Sequence, residues 1–160
     1  MRIDRKYMAH YVDAGSLCSG LTPAYERLGK DLEEFNVEMN PDTETSKNII
    51  GETTFKHNGY EVSADADPFY ADTDSELFTA LQKIIDNRYQ DDNCKTTAVE
   101  VHLWGEDTEG AYEAYKQDCY IVPTSYGGDT SGYQIPFTIT YVGNRVKGTF
   151  NPTTKKFTEG

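Results

Sequence analysis

The sequence has 160 residues, of which 37% are hydrophobic and 12% aromatic, and it carries 27 acidic against 15 basic side chains, a net charge of −12. This length suits one folded domain, and the aromatic content argues against a wholly disordered chain. The acidic balance excludes a protein that grips the nucleic-acid backbone, because phosphate contacts need clustered cations. With a mean hydropathy of −0.69 and no long apolar run, the sequence predicts no transmembrane helix.

The charge is unevenly distributed along the chain. Residues 31–76 carry 13 acidic side chains and two basic ones, whereas residues 1–30 and 141–160 each have a positive balance. One interpretation is an ordinary solvated face. The other is an acidic surface with a purpose, together with basic ends that meet a neighbouring copy of the chain.

The three cysteines, Cys18, Cys94 and Cys119, form no Cys-x-x-Cys pair. Their odd number argues against a disulfide framework and favours a reducing compartment. Cys119 lies in an apolar strand pattern, so we expect it in the core. The charged N-terminus is not followed by an apolar stretch, which is unlike a secretory signal.

The first third of the chain has weak local signals. Thr22–Leu32 is compatible with a short helix or turn. Asn40–Asn48 is polar and lies between strand-like Phe35–Met39 and a strand-like stretch from Ile49 onward. It is therefore predicted to be a loop at the tip of a long hairpin.

A hairpin is predicted over Thr53–Ser63, because Asn58-Gly59 is a strong signal for a two-residue turn. Such a turn would pair Lys56 with Glu61, and it would pair Phe55 with Val62.

The clearest helix is predicted over residues 73–89. Thr73 and Glu76 have capping-box spacing. Five apolar residues that follow recur at helical spacing and predict one buried stripe: Leu77, Phe78, Leu81, Ile84 and Ile85.

The second half predicts strands and turns. Ala98–Trp104 and Tyr133–Val142 alternate apolar and polar residues, and Tyr115–Pro123 is a further strand candidate. Pro136 indicates an edge or a bulge. The predicted turns and loops are Gly105–Gly110, Gly128–Gly132, Gly143-Asn144 (with Tyr141 opposite Val146) and Asn151-Pro152 (flanked by Phe150 and Phe157).

These elements predict a mainly β (α+β) fold, a β-sandwich or barrel with one main flanking α-helix, in a single domain of residues 1–160.

No pattern of an active site or cofactor site stands out. Walker A, GxGxxG and GxSxG motifs are absent, and His10, His57 and His102 lack metal-ligand spacing. Asp65, Asp67 and Glu76 match three positions of a calcium loop, but Phe69 and Tyr70 occupy positions that need an oxygen ligand and a glycine. We therefore expect no catalytic residue, no metal and no cofactor.

Four segments, in this order, carry a family resemblance: YERLGKDL from Tyr25, NPDTE from Asn40, NIIGE from Asn48, and DPFYA from Asp67 ahead of the predicted helix. This order resembles the tail tube (major tail) proteins of long-tailed bacteriophages and prophages, over roughly residue 17 to the C-terminus.

The resemblance implies a tail-tube-like domain and a structural role in the virion tail, assembled in the host cytoplasm. Six copies would form a ring, and stacked rings would form a hollow tube that guides DNA during ejection without binding it specifically. The implied partners are other copies of the chain, the tape measure protein, the tail terminator and the tail tip.

The resemblance also implies assembly segments. A loop that reaches the adjacent ring corresponds to Asn40, Pro41, Asp42, Thr43, Glu44, Thr45, Ser46, Lys47 and Asn48. An N-terminal arm (residues 1–16) would contact a neighbour through Arg2–Tyr7.

An acidic tube lining would repel phosphate and let the duplex slide. The acidic middle segment offers lumen candidates: Glu38, Asp42, Glu44, Glu52 and Glu61.

Three alternatives stay open at this point. One is the inner tube of a contractile injection or secretion system. Another is a monomeric β-sandwich that binds a ligand such as carbohydrate through exposed aromatic residues, for which the candidates are Trp104, Tyr112, Tyr115, Tyr126 and Tyr133. The third is an enzyme with a carboxylate pair, for which no residue stands out.

Overall fold

The computed structural model describes residues 1–20 and 22–160 and is mostly β-strand with one main helix. The strands are β1 (Met8–Asp13), β2 (Tyr25–Leu28), β3 (Val37–Glu38), β4 (Pro41–Lys47), β5 (Thr53–Tyr60), β6 (Ser63–Ala66), β7 (Lys95–His102), β8 (Tyr112–Pro123), β9 (Gly127–Asp129), β10 (Gly132–Gln134), β11 (Phe137–Asn151) and β12 (Lys156–Glu159). The helix α1 is Glu76–Asn87, and 3-10 turns occupy Arg5–Tyr7, Ala14–Ser19 and Asp91–Cys94. The predicted mainly β fold with one main helix is confirmed.

Eight strands form one antiparallel sheet in the order β2-β1-β7-β8-β11-β6-β3, with β12 added beside β11. The sheet curls into a half-barrel. Two hairpins, β4-β5 and β9-β10, form separate two-stranded sheets. In the described part of the chain, no helix has the length and apolar character needed to cross a bilayer.

Two clusters of buried side chains hold the sheet. The larger lies under α1, where Leu77 and Leu81 pack with residues such as Cys119 and Ile139, which are fully buried. The smaller gathers around Phe150, which packs on Tyr11 with ring centroids 4.6 Å apart. The predicted core position of Cys119 is confirmed.

The helix is shorter than predicted, and the capping box of Thr73 and Glu76 is wrong. Ser75 caps the helix instead, because its hydroxyl accepts from the Phe78 amide at 3.1 Å. Glu26, in β2, accepts from the Ser75 hydroxyl at 2.7 Å and from the Glu76 amide at 3.1 Å. An acidic side chain from a distant strand therefore binds the positive end of the helix.

The helix ends at Arg88, which has a left-handed backbone and donates its amide to the Ile84 and Ile85 carbonyls. The apolar stripe is confirmed: four of its five residues are buried and Phe78 is half-buried.

Two predicted turns are β-bulges. Asn58 and Gly59 lie inside β5, where the register against β4 shifts between Asp42 and Thr43, so the predicted pairs of Lys56 with Glu61 and Phe55 with Val62 are wrong. Gly59 has a φ of +124°, which suits a bulge glycine as well as a turn.

Gly143 and Asn144 lie inside β11, which continues past them with a register shift against β8. Gly143 has a φ of +69°, so the glycine bends the strand rather than reversing it. The predicted pairing of Tyr141 with Val146 is therefore wrong.

Two predicted segments in the first third of the chain are strands. Residues 8–13 of the expected N-terminal arm form β1, which is buried between β2 and β7. Only Met1–Tyr7 lies exposed ahead of the sheet. The expected helix or turn over Thr22–Leu32 contains β2, because Tyr25–Leu28 pairs with the free edge of β1.

The remaining strand predictions are confirmed in part. Tyr133–Val142 is interrupted between β10 and β11, strand-like Phe35–Met39 contains only β3, and the stretch from Ile49 is a turn until β5 begins. Ala98–His102 lies in β7 and Tyr115–Pro123 in β8. Phe150 and Phe157 face each other across the hairpin whose turn contains Asn151-Pro152. Pro136 separates β10 from β11, which is consistent with its missing amide. The turn between β9 and β10, residues 130–131, lies within the predicted turn Gly128–Gly132, whose other residues are in the two strands.

The Asp13 side chain, at the end of β1, accepts hydrogen bonds from the segment between β1 and β2. The side chain is 3% exposed, and its Oδ1 accepts from the amides of Gly15, Ser16 and Ala24 at 3.1, 3.2 and 2.8 Å. Its Oδ2 accepts from the Ser16 hydroxyl at 2.6 Å.

We expect Asp13→Ala to lower the free energy of unfolding by about 3 kcal/mol, because it leaves three half-buried amides without their acceptor and removes a buried side chain. Asp13→Asn is the matched control and should cost about 1 kcal/mol, since its carbonyl oxygen can still accept from the amides. Urea unfolding followed by circular dichroism measures both. Equal losses for the two variants would show that the oxygen acceptor is not what stabilises this corner.

Candidate functional site

The hairpin β4–β5, residues 41–60, projects from the sheet and is named the arm. Every residue of β4 is exposed, and in β5 only Gly59 is half-buried. Across the described residues, β4 and β5 pair with each other and with no other strand. The segment Asn40–Asn48, predicted as a loop, is thus mostly the first strand of the arm. A two-stranded hairpin is marginal in water without further packing.

The two faces of the arm differ in chemistry. Phe55, His57 and Tyr60 lie on one face, and the His57 and Tyr60 rings meet edge to face at 4.6 Å. On the opposite face Lys56 stands across from Glu44, with 3.9 Å between the Lys56 Nζ and Glu44 Oε1 atoms. One face is therefore aromatic and the other charged.

The arm ends in the turn Asn48–Glu52, named the tip. Asn48 orders it, because its Oδ1 accepts from the amides of Ile50 at 3.1 Å and Glu52 at 2.9 Å. Gly51 has a φ of +87° and so supplies the left-handed residue of the turn. Ile49 and Ile50 are 103% and 73% exposed. The tip is an ordered turn with two apolar side chains in water.

The predicted assembly and lumen residues gather on the arm. Asn40 fixes the base, donating its Nδ2 to the Glu61 carbonyl at 3.0 Å and to the Ser63 hydroxyl at 3.1 Å. Of the lumen candidates, Asp42 and Glu44 lie in β4, Glu52 closes the tip and Glu61 follows β5. Glu38 lies in β3 on the sheet, and all five are exposed.

A concave groove of about 750 Å³ opens beside the base of the arm. Its lining shares Leu28, Phe35 and Ile139 with the buried cluster under α1. The apolar walls include Met8, Leu28, Phe35, Val37, Met39 and Val62. Met39 and Tyr60 lie directly at the arm's base, so the arm leaves the domain from the rim of the groove.

Two charged residues, Glu100 and Arg145, line this groove and contact each other. Glu100 accepts from Arg145 at 2.6 Å and makes a 2.8 Å hydrogen bond with the His102 ring. Burial alone would raise the pKa of Glu100, but these two contacts outweigh it and lower the pKa below its usual value. Arg145 also lies over the Tyr115 ring, 4.1 Å from its centroid.

His10 lies beside this cluster and is 7% exposed. Burial lowers its pKa to about 4, because the charged ring is poorly solvated; Glu100 partly opposes this, and Arg5 adds to it. The ring packs on Phe35 with centroids 4.8 Å apart. His10 is therefore a neutral core side chain at neutral pH.

A second cavity, of about 700 Å³, lies at the basic C-terminal end of the chain. Lys116, Lys155 and Lys156 line it together with the carboxylates of Glu26, Asp74 and Glu76. The basic end thus stands next to acidic residues of the same chain.

The aromatic residues considered for ligand binding are divided between three places. Trp104 stacks on His102 at 4.4 Å, and Tyr115 lies 5.3 Å from the same ring. Tyr126 accepts from Arg88 at 3.0 Å, and Tyr133 donates to Gln82 at 2.6 Å, so both lie against α1. Tyr112 packs on the cluster around Phe150.

The remaining polar residues considered in the sequence, those of the calcium-loop match and Cys119, show no sign of a binding or reactive site in the described residues. Asp65 lies in β6 and accepts from the Thr138 hydroxyl at 2.7 Å. Within residues 1–20 and 22–160 no group of three or more His, Cys, Asp or Glu side chains is placed to hold a metal. Burial raises the pKa of the Cys119 thiol to about 12, so it stays protonated at neutral pH.

Neither the apolar tip nor the groove was predicted from the sequence. The two adjacent isoleucines in a polar stretch were a usable signal for an exposed apolar contact. The groove has no such signal, because its walls come from segments far apart in the sequence.

No protein-family model matches the chain, and no curated protein matches it. Among solved structures, the chain is similar to the sheath/tube terminator of an extracellular contractile injection system, PVC, in its extended state. The two chains are 10% identical with a TM-score of 0.49, over 92% of this chain and 96% of the other. A likeness of this degree identifies no family.

Proposed function

We propose that this chain is a structural subunit of a phage tail tube. Six copies of a single domain, residues 1–160, form a ring, and the rings stack into a hollow tube through which DNA passes during ejection. The role is structural and not catalytic. The partners are further copies of the chain and the other tail proteins, namely the tape measure, the terminator and the tip.

The observation that carries this proposal is the exposed arm. It pairs with no other strand in the described part of the chain, and its tip holds Ile49 and Ile50 in water. Exposed apolar side chains on an ordered projection are typical of an interaction surface. In a tube, a neighbouring subunit covers this surface. The segments NPDTE and NIIGE, which belong to the resemblance to tail tube proteins, lie in and beside the arm.

The charge of the chain supports a conduit for DNA. The net charge is −12, and Asp42, Glu44, Glu52 and Glu61 are all exposed on or beside the arm. An acidic wall repels phosphate and keeps the duplex from binding as it moves. We propose these four residues and Glu38 as contributors to the lining.

The basic C-terminal end offers a contact between neighbouring subunits in a ring. We expect Lys155→Glu with Lys156→Glu to weaken assembly, because two cations become anions beside the carboxylates of Glu26, Asp74 and Glu76. Turbidity and pelleting at low and high salt measure the effect, and added salt should reduce the difference from wild type by screening.

Lys83→Glu with Lys95→Glu is the matched control, since it changes the net charge equally at exposed or half-exposed positions outside this cavity. Equal effects of the two pairs would show that net charge, and not this end of the chain, controls assembly.

Sedimentation velocity over a dilution series tests the proposed ring. We expect a discrete six-subunit species, or larger species built from it, to grow with concentration. A single 18.0 kDa species at every concentration would contradict the proposal and would favour a monomeric binding module.

A further inference from the structure

We propose that the tip of one copy docks in the concave groove of a second copy, with Ile49 and Ile50 against the apolar walls around Phe35 and Met39. The inference rests on the proposed self-assembly, and it names the surface that receives the arm.

The tip is prepared for docking. Ile50 is held by the hydrogen bond from its amide to the Asn48 side chain, and the Asn48 amide donates to the Glu52 carbonyl at 3.0 Å. Ordering a flexible loop on binding costs free energy, and a turn already ordered avoids most of that cost. The two isoleucines thus gain burial at little conformational cost.

The groove suits a small apolar projection. Its volume of about 750 Å³ is within the range of sites that bind compact ligands. Its walls combine exposed Met39 with buried Leu28 and Phe35, so a side chain entering it would leave water and meet the domain core.

The tip that fills the groove belongs to another copy. Met39 and Tyr60, at the base of the arm, are themselves walls of the groove. Seven residue pairs join β4 to β5, which places the tip about 20 Å from that base. The arm is a paired hairpin that does not fold back, so a chain cannot fill its own groove.

The charges of the two surfaces are complementary. The arm and its base, residues 40–61, carry four carboxylates and two lysines. Arg5 and Arg145 stand at the groove with a single carboxylate, Glu100, and the Arg145 side chain is 48% exposed. Glu52 lies two residues from Ile50, so docking would place this carboxylate beside Arg145 and would remove it from the proposed lining.

The contact joins two different patches, the tip of one copy and the groove of the next. A heterologous contact of this kind continues from copy to copy unless rotation closes it. It therefore adds subunits along an assembly rather than ending in a dimer.

Disulfide trapping between two separately purified chains tests this contact. One chain carries Ile50→Cys and the other Met39→Cys, and the two are mixed under assembly conditions with a mild oxidant. A disulfide needs Cα atoms within about 7 Å, so it reports direct approach. The matched control replaces Met39→Cys with Thr130→Cys, which is exposed on the turn between β9 and β10 and lines neither cavity. Each substituted chain mixed with wild type measures the background of the native thiols.

We expect at least about tenfold more of the 50–39 heterodimer than of the 50–130 heterodimer, since docking raises the effective concentration of the thiols. Electron microscopy of the same samples separates this inference from the proposed function. Tubes without enrichment of the 50–39 disulfide would overturn the docking site and leave the tube proposal standing. Enrichment without tubes would support the docking site and contradict the tube. The absence of both would contradict both.

Discussion

Removing most of the arm is expected to abolish tube formation without unfolding the domain. Pro41 and Tyr60 face each other across the hairpin, so residues 42–59 can be replaced by a two-residue Asn-Gly turn between them. The Asn40 hydrogen bonds to the Glu61 carbonyl and the Ser63 hydroxyl remain to hold the base.

We expect the free energy of unfolding of this variant to stay within about 1 kcal/mol of wild type, because the deleted residues are almost all exposed. Assembly should fall below detection in pelleting and microscopy, because the variant lacks the surface that a neighbour covers.

Two further variants separate the contribution of the apolar tip to assembly from a general effect of changing an exposed loop. Ile49→Ser with Ile50→Ser keeps the arm's length and removes only the apolar tip, and we expect it to lose most of the assembly. Glu106→Ser with Asp107→Ser changes an equally exposed loop and should assemble as wild type does. Tubes of normal yield and length from the arm-deleted variant would contradict the proposed role of the arm.

Acid is expected to destabilise the domain through His10. The pKa of His10 is about 4 in the folded chain and 6.5 in the reference state, so the unfolded chain binds the proton first as the pH falls. The stabilisation is complete above pH 6.5, and it is lost progressively as the pH falls from 6.5 towards 4. Between pH 7 and pH 5 we expect a loss of about 2 kcal/mol from this residue.

Urea unfolding at a series of pH values measures this loss. His10→Leu removes the titrating group at a buried position and should flatten the curve between pH 7 and pH 5. His57→Leu is the matched control, because His57 lies on the exposed arm and its replacement should leave the slope unchanged. An unchanged slope in His10→Leu would assign the acid sensitivity to other groups.

The contribution of Glu100 to the free energy of unfolding changes in a lower range of pH than that of His10. Its pKa is lowered below 4.5, so its stabilisation is lost only as the pH falls through the folded value, below the window that reports on His10. The two residues are adjacent strand partners, yet the pH separates their contributions.

Patterns that depend on near neighbours were predictable from the sequence. The apolar stripe of α1 and the alternation of β7 follow from helix and strand periodicity, and burial of one face follows from the pattern itself. The hairpin at Asn151-Pro152 was predictable because the apolar residues on both sides, Phe150 and Phe157, agree with the turn.

Elements that depend on distant pairing were not predictable. β4 has the sequence PDTETSK, without apolar alternation, and is a strand because β5 pairs with it. β1 was expected to belong to a separate N-terminal arm (residues 1–16). It is buried because β2 and β7 pair with its two edges. Asn58-Gly59 and Gly143-Asn144 have the backbone freedom for either a turn or a bulge. Pairing of β5 with β4 and of β11 with β8 selects the bulge in each strand.

The projection of the hairpin from the domain was predictable in its sequence position but not in its form. The segment from Asn40 onward was expected to project as a loop, and the structure has a paired arm with an ordered tip. The groove needs residues from β1, β3, β7 and β11 at one place, and local sequence gives no information on that arrangement.

Negative-stain electron microscopy of the purified wild-type chain, after long incubation at high concentration, tests whether the chain forms a tube. We expect six-fold rings in end views and hollow tubes in side views, and we expect the arm-deleted variant prepared in parallel to show neither stacked rings nor tubes. Isolated small particles from wild type under these conditions, also after addition of the other tail proteins, would contradict the proposed tube.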